Sequence, residues 1–263
     1  MKMVDRAKAA LWKKSGLSHD ARGYVAEARL NLVAGVTPEM IEADYCHGSG
    51  QEWVTKIRAI HSSAALTANT FGRWKTEPAE LKILGLSGFE KPKLEAKCPT
   101  GLGGTPPNFD VLLQSKDVVI GIESKLLEPL TPTKPHFSPS YSRDKVPLCE
   151  DTWWNLLEHV RDWPPSHLDA AQLIKHYLGL RKQFPAGRKV FLLYLFWRPL
   201  NAAAIPEYSR HAEDIERFRN AIARDSAVQF VSMNYLELWE KWKNYSGLAE
   251  HASILEQRYC VEI

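Results

Sequence analysis

An α/β fold, with a mixed central sheet covered on both faces by helices, follows from three observations. Asn108–Leu126 carries two apolar runs, Phe109–Leu113 and Val118–Ile122, around the polar Gln114-Ser115-Lys116-Asp117, which is the pattern of a β-hairpin. Lys189–Trp197, KVFLLYLFW, is almost entirely apolar, as a strand buried on both faces is. Helical periodicity precedes the hairpin and recurs between it and that strand. The predicted order from Glu52 to Trp197 is helix, strand, two hairpin strands, helix, strand: an αβββαβ core with N- and C-terminal helical extensions.

With 263 residues, 44% of them hydrophobic, the chain can bury a sizeable core, and one domain with extensions is expected. A net charge of +3 and a pI near 8.6 permit a nucleic-acid partner without demanding one. Cys46, Cys98, Cys149 and Cys260 are scattered and none has zinc spacing. Their usage, with no signal peptide and no apolar run long enough to span a bilayer, predicts a reducing, cytoplasmic setting and no membrane partner.

The N-terminal extension, residues 1–47, begins with an amphipathic helix over Val4–Lys14, whose basic residues either touch phosphate or form a solvated face. A second short element is expected over Ala21–Val33, and Thr37-Pro38-Glu39 starts a new helix. Gly48-Ser49-Gly50-Gln51 then feeds a helix from Glu52 to Phe71, ended by Gly72. Glu52 falls in its first turn, where the helix dipole favours a carboxylate. His61, inside that apolar pattern, reads as a packed histidine. Phe89–Cys98 is a strand entered at Pro92, and periodicity leaves Glu95 free to point either way. Pro99–Asn108 is a Gly/Pro-rich loop able to approach a ligand closely, but not a P-loop.

Glu128–Trp163 holds five prolines, and an irregular insertion over 127–165 is expected. Its Lys134, Arg143 and Lys145, interleaved with His136 and Tyr141, suit backbone contact and base stacking. Trp153, Trp154 and Trp163 read as anchors to the core. Ser166 and Asp169 form a capping pair for a helix running to about Phe184, with Gln172, Lys175 and His176 at i, i+3 and i+4. A helix over Glu207–Ala223, a strand Val228–Ser232 and a helix Tyr235–Tyr245 make a C-terminal α/β extension, 201–263, packed on a core of 48–200.

The candidate site lies on the hairpin. A two-residue turn at Lys116-Asp117 sets Asp110 opposite Glu123 and Asn108 opposite Lys125, and period two puts Asp110, Glu123 and Lys125 on one face. Opposed carboxylates repel unless a cation lies between them. A hard divalent ion satisfies that need. So does a solvated ladder in which Lys125 pairs with one of the acids, and a one-residue slip would undo either arrangement.

Asn108-Phe109-Asp110, a hairpin, and Glu123-Ser124-Lys125 resemble the motif of the PD-(D/E)XK nuclease superfamily. The Pro-Asp pair appears here as Phe109-Asp110. The segments GSGQEW…HSSAALTANTFGRW and GGTPPNFD…GIESK also look like a bacterial restriction-endonuclease-like group. The resemblance implies a restriction-endonuclease-like fold and a Mg²⁺-dependent nuclease, with Mn²⁺ able to substitute, acting on nucleic acid, DNA foremost, with a homodimer allowed. It implies Asp110, Glu123 and a first-helix Glu52 as metal ligands, and Lys125 to orient or help deprotonate water, its pKa depressed beside the cation. Gln172 would position water or phosphate, with Lys134, Arg143, Lys145 and Lys175 along the nucleic acid. The RecB and lambda exonuclease-like branch places a Tyr four residues after the Gln; here that position is His176, and Tyr177 follows. Two rivals stand beside this reading: a non-catalytic nucleic-acid-binding domain on the same fold, and an unrelated α/β protein with an incidental ladder.

Overall fold

A tight hairpin sets the centre of the sheet. β2 (Asn108–Gln114) and β3 (Val118–Lys125) pair antiparallel from Gln114↔Val119 to Val111↔Ile122, the register the two-residue turn demands. The turn is closed by Ser115 N–H donating to the Val118 carbonyl at 2.8 Å and Val118 N–H donating to Ser115 Oγ at 3.1 Å. β1 (Lys93–Lys97) lies antiparallel on β2; β4 (Lys189–Phe196) runs parallel to β3, and β5 (Val228–Asn234) parallel to β4. The order β1-β2-β3-β4-β5 makes β3 and β4 interior strands of a mixed sheet, which is why both read as near-continuous apolar runs. This computed structural model describes residues 1–47, 52–103, 106–184, 187–223 and 226–263. The glycine loop 48–51 and the Gly104-Thr105 part of the loop before β2 lie outside them.

Period two sorts the sheet residues between two helical layers. Val111, Leu113, Ile120, Ile122, Leu193 and Leu195 face a core built with α1 (Met3–Ser15), α2 (Pro38–His47), α3 (Ser63–Phe71), α7 (Tyr235–Lys243) and α8 (Ser246–Tyr259). Leu112, Val119, Leu192 and Tyr194 face α4 (Asp151–Arg161), α5 (Ala170–Gln183) and α6 (Pro206–Asn220). The first core includes both Ala7 and Ile263, so the two ends of the chain close on one face. A buried polar knot ties them there. Asn69 Nδ2 donates to the Asn31 carbonyl (2.9 Å) and to Tyr259 Oη (2.8 Å), its Oδ1 accepts from Val33 N–H (2.9 Å), and Arg258 donates to Asn31 Oδ1 (2.6 Å).

The helix expected over 52–71 forms only from Ser63, with Ser62 as N-cap. Residues 52–58 are a turn whose backbone bonds are taken by the N-terminal segment. Val25 N–H donates to the Arg58 carbonyl, Ile60 N–H to Gly23, and Asn31 Nδ2 to the carbonyls of Ile57 and Ala59. Glu52 is therefore not in a helix's first turn. Those same contacts replace the element expected over Ala21–Val33 by a bridge, Tyr24↔Ala59, and a single 3₁₀ turn, Ala28–Asn31. α5 starts at Ala170 with Asp169 as its cap, accepting from Gln172 N–H, while Ser166 Oγ donates to the Leu168 carbonyl instead. In the insertion, Trp153 stacks on Tyr177 of α5 at 3.9 Å and Arg217 lies 3.7 Å over Trp163, so these tryptophans anchor the segment. Among the described residues no helix is long and apolar enough to cross a membrane.

Candidate functional site

Strand alternation breaks where the acidic residues sit. Leu94 and Val111 face the α1/α3 layer, yet Ala96 and Phe109, two positions on, face the α5 layer. Between them Glu95 adopts φ +48°, a left-handed conformation uncommon outside glycine and costly in a strand. Beyond Val111↔Ile122 the hairpin strands are joined through a side chain: Asp110 Oδ2 accepts from Ser124 N–H at 2.6 Å. The carboxylate thus takes a backbone donor at the end of the hairpin's ladder.

Glu123 is buried, and both its oxygens are engaged. Lys125 Nζ is 2.6 Å from Oε1, and His176 Nε2 is 2.7 Å from Oε2. Lys125 also donates to Gln172 Oε1 at 2.9 Å. Asp169 fixes the first turn of α5, so Gln172 and His176, four residues apart on one helical face, reach Lys125 and Glu123 together. The His176 ring stacks on Phe109 at 4.3 Å, and its Nδ1 is buried without a partner. Phe109 in turn fills the space over Gly121, where a Cβ would lie 2.6 Å from the ring. Below Ser124, its Oγ and the Tyr235 hydroxyl share a hydrogen bond of 2.6 Å.

These groups open into a cavity of about 730 Å³. Its lining includes Glu52, Glu95, Asp110, Glu123, Lys125 and Gln172, and also Lys8, Tyr24, Lys56 and His61. Asp110 and Glu95, which the sequence left undecided, are therefore neighbours in one site, together with Glu52, whose Oε1 is 2.9 Å from Lys56 Nζ. Asp110, though partly open to the cavity, is lifted well above the ordinary carboxylate range by desolvation first, then by the charges of Glu123 and Glu95. Glu95 is pushed up to about 7 by desolvation and by Glu52. Burial would also raise Glu123, but Lys125 and His176 outweigh it and hold that carboxyl far below its usual value. For Lys125, burial works to depress the pKa; the carboxylates of Glu123, Glu128 and Asp110 prevail and raise it.

The oxygen-rich donor set is of the kind Mg²⁺ takes, and buried, mutually repelling carboxylates are chemically suited to a cation. As they stand, however, no three His, Cys, Asp or Glu side chains among the described residues converge in a metal-binding arrangement. In this arrangement both Glu123 oxygens are engaged by Lys125 and His176.

The remaining expected residues are dispersed. Arg143 donates to the Cys149 carbonyl and to Asp151 and lies over Trp154, a structural set of contacts within the insertion. Lys175 is half-buried over Phe137, and Lys145 lines a separate small pocket with Leu148 and Arg181. Lys134 is exposed beside Thr133, which does line the main cavity. His176 was not assigned a role from the sequence, although its spacing from Gln172 was the available signal.

A mixed five-stranded sheet between two helical layers, with acidic residues and a lysine at the interior end of its hairpin, defines a restriction-endonuclease-like protein. A family model described as "Restriction Endonuclease associating with ARP" matches residues 8–260, and the chain belongs to that family. No curated protein and no solved structure matches it.

Proposed function

We propose that this chain is a metal-dependent nuclease of the PD-(D/E)XK type, hydrolysing phosphodiester bonds of DNA. The carrying observation is the meeting in one cavity of Asp110 with Glu123 and Lys125, beside the further carboxylates of Glu95 and Glu52. Asp110, Glu123 and one or both of those glutamates would hold the ion. Bound Mg²⁺ or Mn²⁺ supplies an activated water and neutralises charge on the phosphate. The protein's own part is positioning. Ser124 N–H orients the Asp110 carboxylate, His176 orients Glu123, and Gln172 holds the Lys125 ammonium where it can stabilise charge developing on a phosphoryl oxygen. Lys134, at the rim, is the candidate for contact with the backbone of the nucleic acid. The family's description also ties its endonucleases to an associate, ARP, and the proposal extends that association to this chain.

A second reading, a nucleic-acid-binding domain without catalysis, draws support from the engagement of both Glu123 oxygens. The two part in one experiment. Linear, circular and single-stranded DNA are incubated with Mg²⁺, Mn²⁺ or EDTA, using wild type, Glu123→Ala and Lys125→Ala. Metal-dependent cleavage lost in both variants supports the nuclease; binding of DNA with no cleavage under any condition supports the second reading. If wild type binds neither metal nor DNA, both fail.

A further inference from the structure

The same cavity has a basic and aromatic part as carefully built as its acidic part. Trp12 Nε1 donates to His61 Nδ1 at 3.1 Å. An indole N–H only donates, so His61 Nδ1 must carry a lone pair, and the ring is the neutral tautomer with its proton on Nε2. Burial, followed by the charge of Lys8, agrees with this by depressing His61 to about 4. His61 lines the cavity, and among the described residues nothing in the protein accepts from its Nε2–H.

Two aromatic rings flank the imidazole: Trp12 and Tyr24 lie 5.7 and 6.1 Å from it, centroid to centroid. Gly23, at φ +81°, lets the backbone pass beneath Trp12, where a Cβ would fall 2.2 Å from the indole. The strand-like bridge Tyr24↔Ala59 then clamps that turn to the segment carrying His61. Beside this fixed donor lie Tyr24 and the half-buried Lys8, both on the cavity surface. Lys8 has no carboxylate within ion-pair distance among the described residues, whereas Lys56, in the same cavity, is paired with Glu52.

We propose that Lys8 and His61 Nε2–H form a binding subsite for a phosphodiester of the DNA strand next to the one being cut, with Trp12 as the positioning residue that fixes the tautomer. The inference rests on the nuclease reading above and adds its second anchor point. A neutral donor and one ammonium can hold a backbone phosphate in the cavity that the carboxylates share, where a bare acidic cleft would repel the strand.

The test measures binding of a short fluorescein-labelled DNA duplex by anisotropy over a salt series, with Ca²⁺ in place of Mg²⁺, using the full chain. Lys8→Gln should raise Kd roughly tenfold and reduce the salt slope by about one. His61→Leu should raise Kd by a similar factor, roughly tenfold, without changing that slope, while His61→Gln, which keeps a distal N–H, should stay within about threefold of wild type. Trp12→Phe, which keeps the ring but not the donor, should fall between them. Lys8 is not among the buried core residues of α1, Ala7 and Leu11, so Lys8→Gln tests the idea even if a His61 variant folds poorly. Wild-type affinity and salt slope in Lys8→Gln, with metal-dependent cleavage intact, overturn this subsite and leave the nuclease reading standing. Failure of wild type to bind or cleave DNA overturns both.

Discussion

Two buried polar clusters in this molecule are built by opposite rules. The knot of Asn31, Asn69 and Tyr259 is neutral apart from Arg258 at its edge, and the Asn69 amide is satisfied at both ends. The cluster of Glu95, Asp110 and Glu123 concentrates negative charge, lifts the pKa of two of its members and leaves His176 Nδ1 without a partner. The first gives stability; the second consumes it. Sites that perform chemistry are commonly those where local rules are broken at a cost met elsewhere, and the left-handed Glu95 belongs to the same pattern.

The sharpest way to break this contrast is Asp110→Asn. An amide still accepts from Ser124 N–H but no longer repels Glu95 and Glu123. Cleavage should fall by at least about a thousandfold, while urea denaturation of the metal-free protein shows a gain of about 1 kcal/mol. Loss of both activity and stability would mean that the carboxylate is structural. Asn69→Ala should do the reverse. It strands three buried polar groups on two segments and should cost about 3 kcal/mol in the same denaturation assay, with cleavage per folded molecule unchanged.

His176→Phe keeps the ring stack on Phe109 but removes the bond to Glu123. A fall in cleavage of about 10- to 100-fold is expected, with His176→Gln recovering part of it, as judged by kcat and by the Mg²⁺ concentration for half-maximal rate. The last effect concerns pH. His251 Nε2 donates to the Asn69 carbonyl at 2.9 Å, its Nδ1 is buried without a partner, and burial depresses its pKa to about 4. The unfolded chain takes up this proton first, near the ordinary histidine value, so the contribution is intact above that value and lost as pH falls towards 4. The slope should approach about 1.4 kcal/mol per pH unit for this residue, and His251→Gln should flatten the denaturation midpoint between pH 6.5 and 4.5 by that share.

The hairpin was legible because its turn, apolar runs and charges all agree on one register. The central strands were legible for a similar reason: burial on both faces leaves no polar residue to blur the pattern. Glu52–Ser62 was not, because helical periodicity there is overridden by Gly23, Val25 and Asn31, which take the backbone bonds from far away in sequence. Glu95 was ambiguous for a local reason. Strict alternation fails at a residue with positive φ, and nothing in KLEAK announces it. α8 went unread because it follows α7 with only Asn244 and Tyr245 between them. The pairing of His176 with Glu123 needed the register of α5 against β3, which spacing along one helix cannot supply.

The bond from Ser124 N–H to Asp110 ties a catalytic hypothesis to a single observable proton. An amide held to a carboxylate at 2.6 Å resonates far downfield and exchanges slowly with solvent. An event that turns the Asp110 carboxylate towards a new partner would release that proton, and the Ser124 cross-peak should move with it. The end of the hairpin's ladder is thus a built-in gauge of site occupancy, readable by NMR in a protein that need not turn over.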